Sequence, residues 1–299
     1  MRVFVTGASG HLGSALLPEL LSAGHQVVGL ARSDASAEAL AARGAEVRRG
    51  SLDDLDVLRA AAAEADGVVH LAFKHDLMAA GDMDAALTAD LAALHTIGDA
   101  LAGSGKPLAG TSGTLMLAGL GRLGTEEDRL PGGSRVDAEN YVLGLAERGV
   151  RTSVVRLPPT VHSDLDKHGF VPSMIKAARA AGVSPYVGEG ANRWSAGHTR
   201  DAARLYRLAI EKAPAGAVLH AVGDEGVPLR QIAETIGARL GVPAKSITPE
   251  EALAHFAFLA PLVQLDAPTS AARTRELLDW KPEYPGLLED LAEEHYFAG

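Results

Sequence analysis

The chain has 299 residues, 47% hydrophobic and 22% charged, with a formal net charge of −10 and no cysteine. This composition suits a globular protein with a sizeable core and excludes a disordered chain, disulfides, thiolate metal sites and cysteine nucleophiles. No basic stripe serves nucleic acid, and no apolar run reaches the roughly 18 residues that a membrane span needs. The N-terminus enters a strand at once and leaves no room for a signal peptide, so a cytoplasmic protein is the expectation.

In chain order, Val3-Phe4-Val5 reads as the centre of a buried strand over residues 2–6. Three glycines, Gly7, Gly10 and Gly13, then lead into a segment with helical spacing over 12–23. Pro18 lies inside that segment and predicts a local kink; Gly24 ends it. The alternation continues with strands over 26–31, 46–49, 67–72, 107–111 and 152–157. Helices fall between them over 35–43, 55–65, 82–102 and 134–148, the last closed by Gly149. Short apolar strands alternating with helices predict an α/β fold: a doubly wound parallel sheet of the Rossmann type over residues 1–157. Pro158-Pro159 marks a boundary to a smaller C-terminal substrate-binding region, 158–299. There, helices are expected over 172–181, 199–212, 229–240, 249–258 and 286–294, with strands over 185–188 and 218–222. The strand over 218–222 could rejoin the main sheet.

Glycines three apart between a strand and a helix suit a dinucleotide pyrophosphate: one allows the turn, one the close approach, one the packing. Free N–H groups at the helix start face the phosphates. This assigns Gly7, Ser9, Gly10, His11, Leu12 and Gly13 to a cofactor. The second strand ends in Arg32-Ser33, with no carboxylate before Asp34. A guanidinium grips a phosphate by parallel N–H bonds and Ser33 could add a donor, so NADP(H) is preferred, with NAD(H) the other possibility. Asp53 could accept from the adenine amino group while Leu52 packs on the ring, or it could cap the helix at Leu55. Leu71, Ala72 and Phe73 close the fourth strand and should border the ribose and phosphates.

These residues resemble the short-chain dehydrogenase/reductase superfamily, nearest to its extended type. Thr6 to Gly13 matches the Thr-Gly-x-x-Gly-x-x-Gly fingerprint; His70-Leu71-Ala72 looks like the fourth-strand ending. Thr111-Ser112-Gly113 lies where the fifth strand carries a hydroxyl run, and Arg156-Leu157-Pro158-Pro159 resembles the segment beside the nicotinamide, which implies a cofactor contact for Pro158. The stretch from Trp194 to Asp201 resembles the Trp-Ser-x-x-His-x-x-Asp stretch of the substrate region. The family's Tyr-x-x-x-Lys pair is missing. Aligning Ala138-Glu139 with the family's Ala-Glu puts Pro131 at the tyrosine, Arg135 at the lysine and Gly113 at the catalytic hydroxyl. Tyr141 has Leu145 four residues on and reads as packing or interface. The chain therefore resembles an atypical member: the cofactor is implied more firmly than the chemistry.

Arg135 could still bind the cofactor's ribose or phosphate. Substitute catalytic groups are the strand-end hydroxyls of Thr111, Ser112 and Thr114, and His162 as a general acid. Lys74 and His75, with Asp76 beside them, could contact substrate and carry a proton, and Arg193 with Trp194 suits an anionic or planar substrate. Each also has a structural reading: turn bonding, a polar loop, or packing. No metal-ligand spacing appears. The function implied is an NADP(H)-dependent oxidoreductase acting on a small organic carbonyl or alcohol. The alternatives are a non-catalytic NADP(H) sensor or partner protein, and an epimerase or dehydratase that recycles its cofactor. A homodimer through the helices over 82–102 and 134–148 is a further expectation of the resemblance.

Overall fold

The computed structural model describes residues 1–298, so the last residue of the expected C-terminal region lies outside it. The first half runs β1 (Arg2–Thr6), α1 (His11–Ser22), β2 (Gln26–Ala31), α2 (Asp34–Ala42), β3 (Glu46–Arg49), α3 (Leu55–Glu64), β4 (Gly67–His70), α4 (His75–Ala79), α5 (Met83–Leu101), β5 (Pro107–Gly113), α6 (Val136–Gly144) and β6 (Arg151–Leu157). The second half runs β7 (Thr160–His162), α7 (Phe170–Ala181), β8 (Ser184–Val187), β9 (Arg193–His198), α8 (Thr199–Lys212), β10 (Ala217–His220), β11 (Asp224–Pro228), α9 (Leu229–Leu240), β12 (Ala244–Ile247), α10 (Ala252–Phe256), α11 (Ala272–Leu278) and α12 (Leu287–Leu291).

Seven parallel strands form the main sheet in the order β10-β6-β5-β4-β1-β2-β3. The order reverses between β1 and β4, and a crevice for ligands opens beyond the strand ends at such a reversal. Val3, Phe4, Val5, Val68 and Val69 are fully buried because helices cover both faces. One face packs against α1 and α8 through Leu16, Leu20, Leu205 and Tyr206. The other packs against α3, α5 and α6 through Leu58, Ile97 and Val142. Thus α8 and β10 return to the sheet from beyond Pro158-Pro159, and β10, over Ala217–His220 rather than the expected 218–222, forms its edge strand.

The remaining strands make a three-stranded sheet, β11-β9-β7, and a two-stranded pair, β12-β8. They pack with α7, α9 and α12 around Trp194, Ile232 and Leu287. Several expected bounds shift. β4 ends at His70, two residues early. α1 passes through Pro18 without a break. The last turn of the expected 134–148 helix tightens to a 3₁₀ turn over Leu145–Arg148. The helices expected over 249–258 and 286–294 shorten to α10 and α12.

Candidate functional site

The turn from β1 to α1 needs its glycines. Gly7 has φ +68°, and a Cβ there would lie 2.8 Å from the Ala72 nitrogen. A Cβ on Gly13 would lie 2.4 Å from the Gly7 carbonyl oxygen and 2.5 Å from that of Ala8. Gly10 donates its N–H to the Gly7 carbonyl (3.0 Å) and occupies the cap position of α1. No side chain bonds the first amides of α1, and no acid stands in its first turn. The helix start therefore offers unsatisfied N–H donors and a positive dipole end to solvent. Ser9 is exposed beside it, while the Leu12 side chain turns into the core.

His11 turns its ring away from the turn. Its Nε2 lies 2.8 Å from Thr199 Oγ1, whose own O–H donates to the His162 carbonyl (3.0 Å). Nε2 is then the donor. Burial pushes the His11 pKa down to about 4, helped by nearby His162, so the ring is neutral near pH 7. The contact ties the first turn of α1 to that of α8.

At the end of β2, Arg32 extends into solvent, 3.5 Å from Asp76. Ser33 is occupied otherwise: its Oγ accepts from the Ser36 N–H (3.2 Å) and its N–H donates to Ser36 Oγ (3.1 Å), a capping box that starts α2. Asp34 pairs with Arg49 at the end of β3. A second guanidinium thus flanks this corner, and the acid nearest β2 is neutralised. Asp53 does not cap α3, which has Asp54 in the cap position; it pairs with Lys74 Nζ at 2.6 and 2.7 Å. Leu52 is buried among the α3-side core residues.

Beyond β4, Leu71, Ala72 and Phe73 are half-buried, and Ala72 donates its N–H to Thr6 Oγ1 (3.2 Å). Beneath them His70 is buried between Thr6 Oγ1 and Asp90 Oδ1, each 3.0 Å from a ring nitrogen. The Phe73 ring is a hub. The Arg135 guanidinium carbon sits 4.2 Å from its centroid, and His75 meets it edge-on at 5.3 Å. Arg135 also donates through Nη2 to the Thr111 carbonyl (3.3 Å). This brings Phe73, His75, Thr111 and Arg135 together at the ligand edge of β4 and β5. Burial and the charge of Arg135 lower the His75 pKa below its ordinary value.

Two of the three strand-end hydroxyls are engaged elsewhere. Thr111 Oγ1 donates to the His70 carbonyl (2.7 Å) and lies 2.7 Å from the OH of Tyr206, a fully buried α8 residue. Thr114 is turned away from the edge: it is fully buried, 3.2 Å from Ser195 Oγ, which accepts from Thr269 at 2.7 Å. Ser112 Oγ is buried with no hydrogen-bond partner. His162 is fully buried; its Nδ1 lies 2.9 Å from Asp290 Oδ2 on α12, and its ring meets His198 edge-on. Its Nε2 has no partner. Pro158 packs its Cγ 3.3 Å from the position of a Cβ on Gly197.

The expected substrate pair, Arg193 and Trp194, lies on β9, a strand not foreseen from the sequence, and does not reach the site either. Trp194 is fully buried in the C-terminal core beside Phe170, because β9 is the middle strand of its sheet. Arg193 points to the surface and chelates Asp266, Nε to Oδ1 at 3.0 Å and Nη2 to Oδ2 at 2.8 Å. Sequence reasoning missed Tyr206, Arg49 and the carboxylates of Asp90 and Asp290, whose partners lie far away in sequence. Among the described residues no group of three or more His, Cys, Asp or Glu is placed to hold a metal ion. Nor, among them, is any helix long and apolar enough to cross a membrane.

Comparison with known proteins agrees with this architecture. Residues 3–111 match the family model described as "NAD dependent epimerase/dehydratase family". The chain is 46% identical to the uncharacterized protein C2A9.02 of Schizosaccharomyces pombe, over 99% of this chain and 100% of that one. It is 28% identical to the 4-hydroxy-2-methyl-3-oxo-4-farnesyl-3,4-dihydroquinoline-1-oxide ketoreductase of Stigmatella aurantiaca, over 82% of this chain and 75% of that one. The solved structure of DesIV, a dTDP-glucose 4,6-dehydratase from Streptomyces venezuelae with NAD and TYD bound, shares the fold, with TM-score 0.78, 18% identity and coverage of 98% and 95%. Over residues 3–111 the chain thus carries a domain of the NAD-dependent epimerase/dehydratase family, and its sequence contains no Tyr-x-x-x-Lys pair.

Proposed function

We propose that the protein is an NADP(H)-dependent oxidoreductase acting on a small organic carbonyl or alcohol. The observation that carries this reading is the uncapped start of α1 behind a turn in which added Cβ atoms at Gly7 and Gly13 would strike main chain. Such a turn fits a dinucleotide pyrophosphate at Gly7, Ser9, Gly10, His11, Leu12 and Gly13. Arg32, with Arg49 neutralising Asp34, supports NADP(H) over NAD(H), since no free carboxylate stands where a ribose 2′-OH would be held. In this reading Leu71, Ala72 and Phe73 border the cofactor's ribose and phosphates, and Pro158 lies beside the nicotinamide. The similarity to a ketoreductase supports carbonyl chemistry.

When bound, the dinucleotide supplies hydride transfer; the protein must position the substrate and handle one proton. The Thr111 hydroxyl is committed to the His70 carbonyl and Tyr206; Tyr206 is buried, and the Tyr141 OH faces the His95 carbonyl on α5. His75 is the titratable group at the Phe73 hub, and we assign it the proton. Its lowered pKa leaves it neutral at pH 7, able to take a proton from an alcohol. Reduction then needs the imidazolium, so its kcat should rise as pH falls through the His75 pKa. His75→Asn should remove that limb of the profile and lower kcat roughly 10²- to 10⁴-fold; an unchanged pH profile refutes the assignment.

NADPH titration followed by assay with a panel of ketones and aldehydes tests the reading. Saturable binding and substrate-dependent NADPH oxidation are expected. Binding without turnover or product favours a non-catalytic cofactor sensor, a reading that Pro131 at the tyrosine position supports. Product without net NADPH loss favours an epimerase or dehydratase. Arg32→Asp should weaken NADPH roughly 10- to 100-fold while leaving NADH nearly unchanged; equal losses defeat the 2′-phosphate assignment. The α5–α6 surface, where the Tyr141 ring lies tilted against His95 with centroids 3.9 Å apart, is the surface we assign to a homodimer, to be checked by sedimentation.

A further inference from the structure

The cations around the sheet edge are nearly all spoken for. Arg32 faces Asp76, Arg49 faces Asp34, and Lys74 is chelated by Asp53. Arg156, below the edge, is locked to Glu139. Arg135 differs: among the described residues it has no carboxylate within ion-pair distance. Asp90, the acid on the neighbouring helix, is already engaged by His70. His75 brings no negative charge, only a depressed basicity that the guanidinium itself helps to cause.

The guanidinium is nonetheless held in place. Phe73 supports its face and the Thr111 carbonyl anchors one nitrogen. A guanidinium has five N–H donors in a planar fork, and the anchor uses one. A stacked, half-buried cation with a free fork and no counter-ion is an unsatisfied electrostatic site. Its geometric complement is a planar carboxylate, which takes two parallel N–H bonds. A lysine would serve sugar hydroxyls as well; the planar stack on Phe73 adds a fixed orientation that a ribose does not require.

We propose that the substrate carries a carboxylate next to its reacting carbonyl, and that Arg135, oriented by Phe73 and Thr111, binds that carboxylate. Arg135 then sets specificity for oxo acids over neutral ketones, and His75 stands beside the same ring to serve the carbonyl oxygen. This rests on the NADP(H)-oxidoreductase reading and names its substrate class.

Benzoylformate and its methyl ester offer the same ketone with and without charge. With NADPH-saturated wild type, the acid should be preferred at least tenfold in kcat/KM. Arg135→Met should abolish the preference, with NADPH affinity changed by less than about threefold, and Arg135→Lys should fall between. A binding arm reads the same contact without turnover: benzoate, not benzamide, should quench NADPH fluorescence in the binary complex, and Arg135→Met should weaken it roughly tenfold or more. Equal use of acid and ester by wild type overturns the proposal. So does an Arg135→Met variant that loses NADPH as strongly as benzoate, which would give the guanidinium to the cofactor. If NADPH binds and neither ketone is reduced, the oxidoreductase reading fails, while the benzoate titration still decides the role of Arg135.

Discussion

Gly13 shows how one missing side chain shapes the site. Any Cβ there would press within 2.5 Å of two main-chain carbonyl oxygens, which have no flexible end to give way. Gly13→Ala should cost about 3 kcal/mol of stability and abolish cofactor binding; a denaturant midpoint and an NADPH titration read both, and a variant with wild-type affinity would remove the glycine turn from the site. Arg135 carries the opposite lesson. Its place beside Ala138-Glu139 could be read from the alignment, but its support on Phe73, 62 positions earlier, could not. Rotamer choice in a long side chain is decided by what surrounds it, and here a ring from the loop after β4 decides it. The same holds for Thr114, which turns into the core in the 3₁₀ turn after β5, and for Trp194. Their residue types suit a site, but on β9 the pleat points Trp194 into the core, and a one-residue change of register inverts such a choice.

Among the elements, α6 and β6 are joined by a buried ion pair. Arg156 donates through Nε to both Glu139 oxygens (3.1 and 3.0 Å) and through Nη2 to the Asp128 carbonyl (2.8 Å), with both side chains nearly inaccessible. Removing one partner leaves an uncompensated buried charge. Glu139→Ala should therefore cost about 3–5 kcal/mol, read from urea unfolding; a loss below about 1 kcal/mol would mean that water reaches Arg156. The hydrophobic pattern made this neighbourhood legible, since α6 follows β5 and precedes β6 in a regular alternation. It did not reveal β7, β11 or β12. Each is five residues or fewer, and each pairs with a strand distant in sequence, so little local periodicity marks it.

Across the whole molecule, titration couples the layers. His11, His198 and His220 are each lowered to about 4 by burial, and they join α1, β9 and β10 to their surroundings. In the unfolded chain they titrate near 6.5, so between about 6.5 and 4 the unfolded state binds more protons. Their contribution is complete above pH 6.5 and declines as pH falls towards 4. Asp166, raised to about 6 by burial, works the other way, gaining stability over part of the same window. Four lowered imidazoles, His75 included, against two raised carboxyls, Asp166 and Asp201, predict a net loss of stability between pH 6.5 and 4, measurable as a falling thermal midpoint. A flat profile would mean that these imidazoles are open to solvent. His11→Phe should reduce the slope and also loosen the contact between α1 and α8 at Thr199.

By itself the sequence determined the alternating layers, the parallel sheet and the glycine turn, because burial on both faces and a close main-chain approach leave local signatures: apolar β-branched runs and glycines at fixed intervals. Only the tertiary structure decided which polar groups meet. His162 finds Asp290 128 positions on, Thr111 finds Tyr206 95 positions on, and α8 joins β10 in returning to the main sheet from beyond Pro158-Pro159. Those pairings follow from how helices and strands stack in space, where partners are chosen by packing and charge rather than by neighbourhood along the chain.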